Sequence, residues 1–351
     1  MEIGFDNEKY LKAQIKAIRE RVAKFDKLYL EIGGRLTCDG HASRVLPGYD
    51  PKNKISLLRA LGNDVGVLYC ISSIELEKEK DKGGKWSDTG LTIDKLALAE
   101  TKELEENGLH IIGIVATRYS GQKRVDEFKG ELEKIGKKLF VTHTIKEYPD
   151  NLKSVLGKRG FQAQSQIPTD KKLVVVTGAG ANSGKMFVCL SQIYHEEKKG
   201  VSAGFAKFET FPIWDLPIDH PVNIAYEAAT ADIGDKIMVD SFHKRAYNIT
   251  AINYNRDIEN FYILKKLISR IVPKENFMHE YKSPTDMGMN MAKKGIIHNK
   301  VCFDAGKKEI LRRNEFYKKN LTGRVAEVTL LRMKKILKKV GLSTGSEGSN
   351  K

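Results

Sequence analysis

The sequence has few cysteines and no long apolar run. Its four cysteines, Cys38, Cys70, Cys189 and Cys302, are widely scattered, and none belongs to a C-x-x-C pair. This spacing argues against a structural zinc site, and the apolar surroundings of Cys70 and Cys189 are typical of buried thiols in a reducing compartment. No apolar segment reaches membrane-spanning length, and no apolar run follows a basic stretch at the start. We therefore expect a cytoplasmic protein without a signal peptide or a membrane partner.

The net charge of +15 is unevenly distributed along the chain. Thirteen Lys or Arg and four Asp or Glu lie between residues 299 and 340, so most of the excess charge belongs to one C-terminal segment. Apolar residues recur there at helical spacing, which is typical of helices that pack on the protein's own core and expose a basic face. No nucleic-acid-binding signature accompanies them, so we do not expect a nucleic-acid partner. The apolar residues are Ile310, Leu311, Val325, Val328, Leu331, Ile336 and Val340.

The order of strand and helix patterns indicates the fold class. With 351 residues, 41% of them apolar, the chain is long enough for two domains. Strands and helices alternate through 1–150 and again through 171–298, which predicts an α/β protein of two strand-helix-strand units with mainly parallel sheets. The polar stretch 148–170 is interpreted as a linker or a crossover, although it could equally continue one sheet. A basic helical segment (299–342) and a disordered tail (343–351) complete the predicted organisation.

The most informative segment is 171–200. A buried strand is predicted from Leu173 to Val176, and a small glycine-rich turn separates it from an amphipathic helix. Glycines let the backbone approach a phosphate, free N–H groups at a helix start point towards it, and a lysine adds positive charge. The sequence therefore predicts a phosphate-binding turn formed by Gly178, Gly180, Ser183, Gly184 and Lys185.

The turn matches neither common nucleotide motif completely. The P-loop pattern G-x-x-x-x-G-K-[ST] fits only at its GK core, because Ala179 stands at the first glycine and Met186 at the metal-binding hydroxyl. The dinucleotide pattern G-x-G-x-x-G requires two residues between Gly180 and Gly184, where this chain has three. Three interpretations remain: a variant triphosphate loop, a dinucleotide loop, and a strand–turn–helix whose glycines serve only tight packing. A lysine at a positive helix end argues against the last.

An acidic residue downstream of the turn is a candidate magnesium ligand. Asp240 ends the apolar run 237–239, and in triphosphate-binding sheets an acid at a strand end positions Mg²⁺. The alternative is a turn or a helix cap. Because Met186 supplies no hydroxyl, a metal would also need Thr177, Ser183 or Thr210.

Two further residues lie at the end of the strand predicted for 201–208. Lys207 and Glu209 are site candidates, because carboxyl ends of strands line ligand crevices in open α/β sheets. In a dinucleotide site Glu209 would hold a ribose hydroxyl, although it lies 31 residues after Gly178 and the usual separation is about 20. The alternative is a surface ion pair.

Three basic residues lie in polar, turn-rich segments. Arg44, Arg256 and Lys282 are candidate clamps for phosphate or carboxylate groups. Helix caps and surface salt bridges are the alternative for each of these segments.

Several long motifs resemble those of a bacterial family described as domain of unknown function 1846. They are HASRVLPG, SGKM with LSQIYHE, KFETFPIWDLP, HPVNIAYEAATAD, NYNRD and YKSPTDMGMNMA, and the resemblance extends from Ile3 to about Val340. Members of that family continue into a further α/β region. The resemblance therefore implies that this chain, which ends soon after Gly341, lacks that C-terminal region and any contribution it makes to an active site. It implies no particular substrate.

These observations lead us to expect a homo-oligomeric protein that binds a nucleotide or another small phosphorylated ligand, with ATP and Mg²⁺ as expected cofactors. As an enzyme it would catalyse ATP-dependent phosphoryl transfer or ligation on a small metabolite. Lys185 would stabilise the phosphates, Asp240 would position magnesium, and Arg44 or Arg256 would clamp the substrate. Two alternatives stay open. One is an NAD(P)-dependent oxidoreductase using the same turn, and the other is a non-enzymatic ligand-sensing or assembly protein whose basic helices dock a partner.

Overall fold

The computed structural model describes residues 2–82, 89–180 and 182–342, so the predicted disordered tail lies outside the described residues. The strands are β1 (Lys27–Ile32), β2 (Val65–Ser72), β3 (His110–Tyr119), β4 (Leu139–His143), β5 (Leu173–Gly178), β6 (Ala203–Phe208), β7 (Ile237–Val239), β8 (Ile252–Tyr254) and β9 (Gly288–Met289). The α-helices are α1 (Asn7–Val22), α2 (Gly40–Val45), α3 (Asn53–Leu61), α4 (Ser73–Lys82), α5 (Ile93–Glu106), α6 (Lys123–Lys134), α7 (Leu152–Leu156), α8 (Lys185–Glu197), α9 (Pro221–Ala229), α10 (Ser241–Tyr247), α11 (Asn255–Ile271), α12 (Pro284–Met287), α13 (Ala292–Gly295), α14 (Asn299–Asn320) and α15 (Gly323–Lys339).

Seven strands form one parallel sheet in the order β4-β3-β2-β5-β1-β6-β9. The predicted α/β class with mainly parallel strands is confirmed. β1, from the first predicted unit, lies between β5 and β6 from the second. The polar stretch 148–170, which contains α7, therefore connects β4 and β5 of a single sheet. This agrees with the alternative that the stretch belongs to one sheet. The domain boundaries themselves stay a prediction.

The centre of the sheet is buried on both faces. Every residue of β2 and β5 is buried, as expected for parallel strands covered by crossover helices. α8 packs on β5, β1 and β6. In this sheet Glu31 of β1 is aligned with Val176 of β5 and with Lys207 of β6. Because aligned residues of parallel neighbours project to the same face, the Glu31 and Lys207 side chains lie on one face of adjacent strands.

The strand before Asp240 does not belong to the parallel sheet. β7 pairs antiparallel with β8 in a separate two-stranded sheet, and the chain enters α10 directly after Asp240. Asp240 therefore lies at the end of a strand, as its apolar run predicts, but this strand is not in the parallel sheet. The neighbours of β5, which leads into the glycine-rich turn, are β2 and β1.

The basic C-terminal segment forms α14 and α15, as predicted. Both pack against α9, and Ile310, Ile336 and Val340 are buried there. The remaining predicted apolar positions, Leu311, Val325, Val328 and Leu331, are exposed, so only part of the apolar pattern faces the core. Within the described ranges, none of the helices combines the length and apolar character needed to cross a bilayer.

Candidate ligand site at the carboxyl edge of the sheet

The glycine-rich turn leaves β5 at the centre of the sheet and leads into α8. Gly178 is the last residue of β5, and Gly184 immediately precedes α8 with φ of 82°, in the left-handed region that favours glycine. Gly184 offers no side chain to cap the helix. The first N–H groups of α8 therefore have no capping side chain at this position, and they lie at the positive end of the helix dipole.

Lys185 folds back over this turn. Its Nζ donates to the carbonyl oxygen of Gly180 at 3.2 Å and to Oγ of Ser183 at 3.4 Å. The residue is only 9% exposed, and among the described residues it forms no ion pair with a carboxylate. The structure thus brings together Gly178, Gly180, Ser183, Gly184 and Lys185 around a buried ammonium whose hydrogen-bond partners are neutral oxygens.

Two of the glycines also permit close packing. A Cβ on Gly178 would overlap the carbonyl oxygen of Cys70, and a Cβ on Gly184 would lie 2.8 Å from Oγ1 of Thr117. Thr117 also donates to the carbonyl oxygen of Ser183 at 2.9 Å, and Arg118 donates to that of Asn182. The end of β3 therefore holds the turn in place, so tight packing explains the presence of Gly178 and Gly184 without excluding a ligand above them.

A second charged group lies at the end of β6. Lys207 Nζ contacts both carboxylate oxygens of Asp257, at 2.8 and 2.7 Å, and Oε1 of Glu209 at 3.1 Å. Burial alone would lower the pKa of Lys207, but the carboxylates of Asp257, Glu209 and Glu31 outweigh it, so the pKa is raised. Lys207 therefore remains positively charged and contacts three carboxylate oxygens. It does not belong to a surface ion pair.

Glu209 has the most perturbed carboxylate of this edge. Burial raises its pKa to about 7, and the negative charges of Asp257 and Glu31 add to this effect while Lys207 opposes it. Its Oε1 lies 2.7 Å from the position that a Cβ on Gly33, the residue after β1, would occupy. A carboxylate that titrates near neutral pH at the carboxyl end of a parallel strand can exchange a proton with a bound molecule.

Glu31 is a site residue that sequence reasoning missed. It is 7% exposed, and its Oε2 has no hydrogen-bond partner among the described residues. It lies on β1, the strand directly next to β5, whereas Lys207 lies on the far neighbour, β6. The available signal was an acidic residue within the apolar run of the first strand, Leu28 to Ile32, because a charge in a buried strand needs a partner.

Asp240 is used as a helix cap. Its Oδ1 accepts from the N–H groups of Phe242 and His243, both at 3.0 Å, and its Oδ2 accepts from the N–H and Oγ1 of Thr285, at 3.2 and 2.7 Å. Both carboxylate oxygens are therefore occupied. These contacts give no support to the predicted magnesium role of Asp240.

The three candidate clamps lie apart from the turn. Arg44 Nε pairs with Oε2 of Glu309 on α14 at 2.9 Å, and Arg256 Nη2 pairs with Oδ2 of Asp235 at 2.6 Å. The Lys282 side chain is exposed, with its Nζ 5.4 Å from the centre of the Tyr247 ring. Arg44 and Arg256 thus have carboxylate partners of their own, and only Arg256 neighbours the charged group at β6, through Asp257 in the same helix.

The hydroxyls considered as magnesium ligands differ in their surroundings. Ser183 Oγ is engaged by Lys185, and Thr210 Oγ1 donates to Oδ2 of Asp39 at 3.0 Å. Thr177 Oγ1 is buried and has no partner among the described residues. In the part of the chain that the structure describes, no three His, Cys, Asp or Glu side chains are grouped as metal ligands.

Comparison with known proteins identifies the family. UPF0371 proteins of Clostridium botulinum strains Alaska E43 and Eklund 17B are each 47% identical to this chain over 313 residues. These matches cover 89% of this chain and 61% of each relative, so the chain spans about three fifths of the length of the curated relatives it matches. The family model described as "Domain of unknown function DUF1846, N-terminal" matches residues 3–341. The chain therefore belongs to the DUF1846 family.

Proposed function

We propose that this protein binds a small phosphorylated ligand, such as a nucleotide, at the turn between β5 and α8. The phosphate would lie over the first N–H groups of α8, with Lys185 as its counterion. Phosphate oxygens suit both features, since they accept several N–H bonds and carry the charge that a helix N-terminus favours.

The observation that carries the proposal is the buried ammonium of Lys185. An ammonium taken out of water costs several kcal/mol unless a counterion compensates it. Lys185 instead contacts a carbonyl and a hydroxyl, at 3.2 and 3.4 Å. An anion in the turn would supply the missing charge.

Calorimetric titration with pyrophosphate and with Mg-ATP tests this proposal. We expect binding by the unaltered chain and at least a tenfold weaker affinity in Lys185→Met, since a hydrogen bond to a charged group contributes about 1.5–3 kcal/mol. Lys198→Met is the matched control, because it removes one positive charge from the opposite end of the same helix. Equal affinities in the two variants, or no binding of either ligand, would refute the phosphate site.

If the ligand is a magnesium nucleotide, Glu31 replaces Asp240 as the acid that fits best. It is the carboxylate of a strand adjacent to β5, with one oxygen that has no partner among the described residues. ATP-dependent phosphoryl transfer or ligation is the reaction class that such a site would serve. Because this chain spans about three fifths of its curated relatives, ATP hydrolysis is best measured on both this chain and the whole C. botulinum relative.

The dinucleotide alternative receives less support. In a dinucleotide fold the acid that holds the ribose follows the strand next to the glycine-rich turn. Here β1 separates β5 from β6, so Glu209 lies two strand spacings away, about 10 Å, and its Oε1 contacts Lys207. Fluorescence titration with reduced nicotinamide cofactors distinguishes this alternative from the phosphate site alone. No particular contact of the described residues favours the sensing or assembly alternative or the expected homo-oligomer.

A further inference from the structure

A small pocket of about 40 Å³, partly open to solvent, lies at the carboxyl ends of β6 and β9. We call it the β6 pocket. Its polar floor is formed by Lys207, Glu209 and Asp257, and aromatic side chains of Phe211 and Trp214 form part of its wall. A concave site with apolar walls and a few convergent polar groups is the usual form of a small-molecule site.

The charges of the floor do not balance. Lys207 Nζ donates to both oxygens of Asp257 and forms an ion pair with Oε1 of Glu209 at 3.1 Å. One ammonium therefore faces two carboxylates. Oε2 of Glu209 forms no hydrogen bond or ion pair with a described residue, and Glu209 is 22% exposed, on the pocket side.

The excess negative charge extends behind the floor. Glu31, on β1, is aligned with Lys207 on β6. Its Oε2 is buried without a partner among the described residues. Its charge adds to that of Asp257 in disfavouring the ionised form of Glu209. A cation in the pocket would relieve this repulsion, whereas an anion would increase it.

We propose that the β6 pocket binds the primary ammonium group of a small molecule, with Glu209 as its counterion and Trp214 and Phe211 as its apolar wall. The ammonium donates to the free oxygen of Glu209. The organic part of the ligand lies against the rings, where a nearby positive charge is also favoured by their π faces. This subsite does not depend on the phosphate site at Lys185, and either can fail without the other.

The binding has a defined pH dependence. The pKa of Glu209 is raised to about 7, so the carboxylate is mostly neutral at pH 6 and mostly ionised at pH 8. A primary ammonium remains protonated at both values. Affinity for an ammonium ligand is therefore expected to rise several-fold from pH 6 to pH 8, because only the ionised carboxylate forms the ion pair.

Three probes of one shape and different charge test the proposal: benzylammonium, benzyl alcohol and benzoate. The readout is the fluorescence of Trp214 in a Trp86→Phe variant, which leaves one tryptophan. At pH 8 we expect benzylammonium to bind at least tenfold more tightly than benzyl alcohol, and benzoate to bind most weakly. This comparison uses the same protein for all three probes, so it does not depend on the folding of a pocket variant. Equal or reversed affinities among the probes would overturn the proposal.

Two variants assign the effect to Glu209. Glu209→Gln keeps the shape of the side chain, and we expect it to remove both the preference for benzylammonium and its pH dependence. Glu259→Gln is the matched control, since it removes an exposed acid of α11 two residues from Asp257 and should change neither. Far-ultraviolet circular dichroism establishes that each variant is folded. A folded Glu209→Gln variant that retains the full preference would contradict the assignment.

Discussion

The ammonium of Lys207 lies between the two carboxylate oxygens of Asp257, 2.8 Å from Oδ1 and 2.7 Å from Oδ2. This contact joins the end of β6 to the first turn of α11 and fixes the floor of the β6 pocket. The two lysines at the carboxyl edge of the sheet therefore differ in their partners. Lys207 contacts carboxylates, whereas Lys185 contacts only neutral oxygens.

The first prediction concerns this ion pair. Asp257→Asn leaves a buried ammonium with only one carboxylate contact, so we expect a loss of about 3 kcal/mol in the free energy of unfolding, typical of a broken buried pair. Chemical denaturation measures it. Asp304→Asn breaks the exposed pair with Lys300 and should cost at most about 0.5 kcal/mol. Similar losses in the two variants would contradict the assigned role of Asp257.

The second prediction concerns the pH dependence of stability at Glu209. The folded-state pKa is about 7, above the ordinary value of 4.5, so the folded protein binds more protons than the unfolded chain between these values. Stability from this group is therefore present at low pH and is lost as pH rises through 7. Glu209→Gln should change the free energy of unfolding by less than about 1 kcal/mol at pH 5 and should be more stable than the unaltered protein by about 3 kcal/mol at pH 8. Chemical denaturation at both pH values measures the difference in the free energy of unfolding between variant and parent. The same difference at pH 5 and pH 8 would disprove the prediction.

The third prediction tests the geometry of the turn. Gly184 has φ of 82°, and a Cβ there would lie 2.8 Å from Thr117 Oγ1, so Gly184→Ala should destabilise the protein by about 1–3 kcal/mol. Gly130→Ala is the control, because Gly130 lies within α6 with no atom within 4 Å of an added Cβ. That change should stabilise by about 0.5–1 kcal/mol. Thermal unfolding of both variants measures the contrast, and a tolerated alanine at residue 184 would show that the turn has another conformation.

The fourth prediction separates stability from binding at Lys185. Without an anion, Lys185→Met removes a buried charge that lacks a counterion, so the variant should be as stable as the parent or more stable, by up to about 2 kcal/mol. With pyrophosphate only the parent should gain stability, because only the parent binds it. The measurement is the melting temperature of the parent and of the variant, each with and without pyrophosphate. A large loss of stability in the anion-free variant would mean that Lys185 has a structural role.

The fifth prediction concerns Arg44, which the sequence suggested as a substrate clamp. Its partner is Glu309, whose buried carboxylate also contacts Arg312 and His41; burial opposes ionisation, but these basic partners hold the pKa of Glu309 far below its ordinary value. Arg44→Met should therefore lower the free energy of unfolding by about 1 kcal/mol, since Arg312 remains. Pyrophosphate affinity should stay unchanged in the same titration that tests Lys185. A tenfold loss of pyrophosphate affinity in Arg44→Met would mean that Arg44 takes part in binding.

The turn and its flanking elements could be predicted because their signals are local. A run of β-branched residues, a glycine that tolerates a left-handed conformation and an amphipathic helix with a lysine at its start are all properties of neighbouring residues. For the same reason the two strands predicted at 173–176 and 201–208 agree with β5 and β6 within two residues at each end. Asp240 shows the limit of local signals, because an acid after an apolar run has the same pattern whether it binds a metal or caps a helix.

The alternating α/β character and the glycine-rich turn followed by Lys185 could be predicted from the sequence. Which residues share the edge of the sheet with that turn depends on the tertiary structure. Strand order depends on long-range packing of many apolar side chains, and it inserted β1 between β5 and β6. That insertion placed Glu31 beside Lys207, moved Glu209 away from the turn, and left Asp240 on a separate pair of strands. Charges far apart in the chain become neighbours only when the sheet is assembled, because their spacing is set by hydrogen-bonded strands and not by sequence distance.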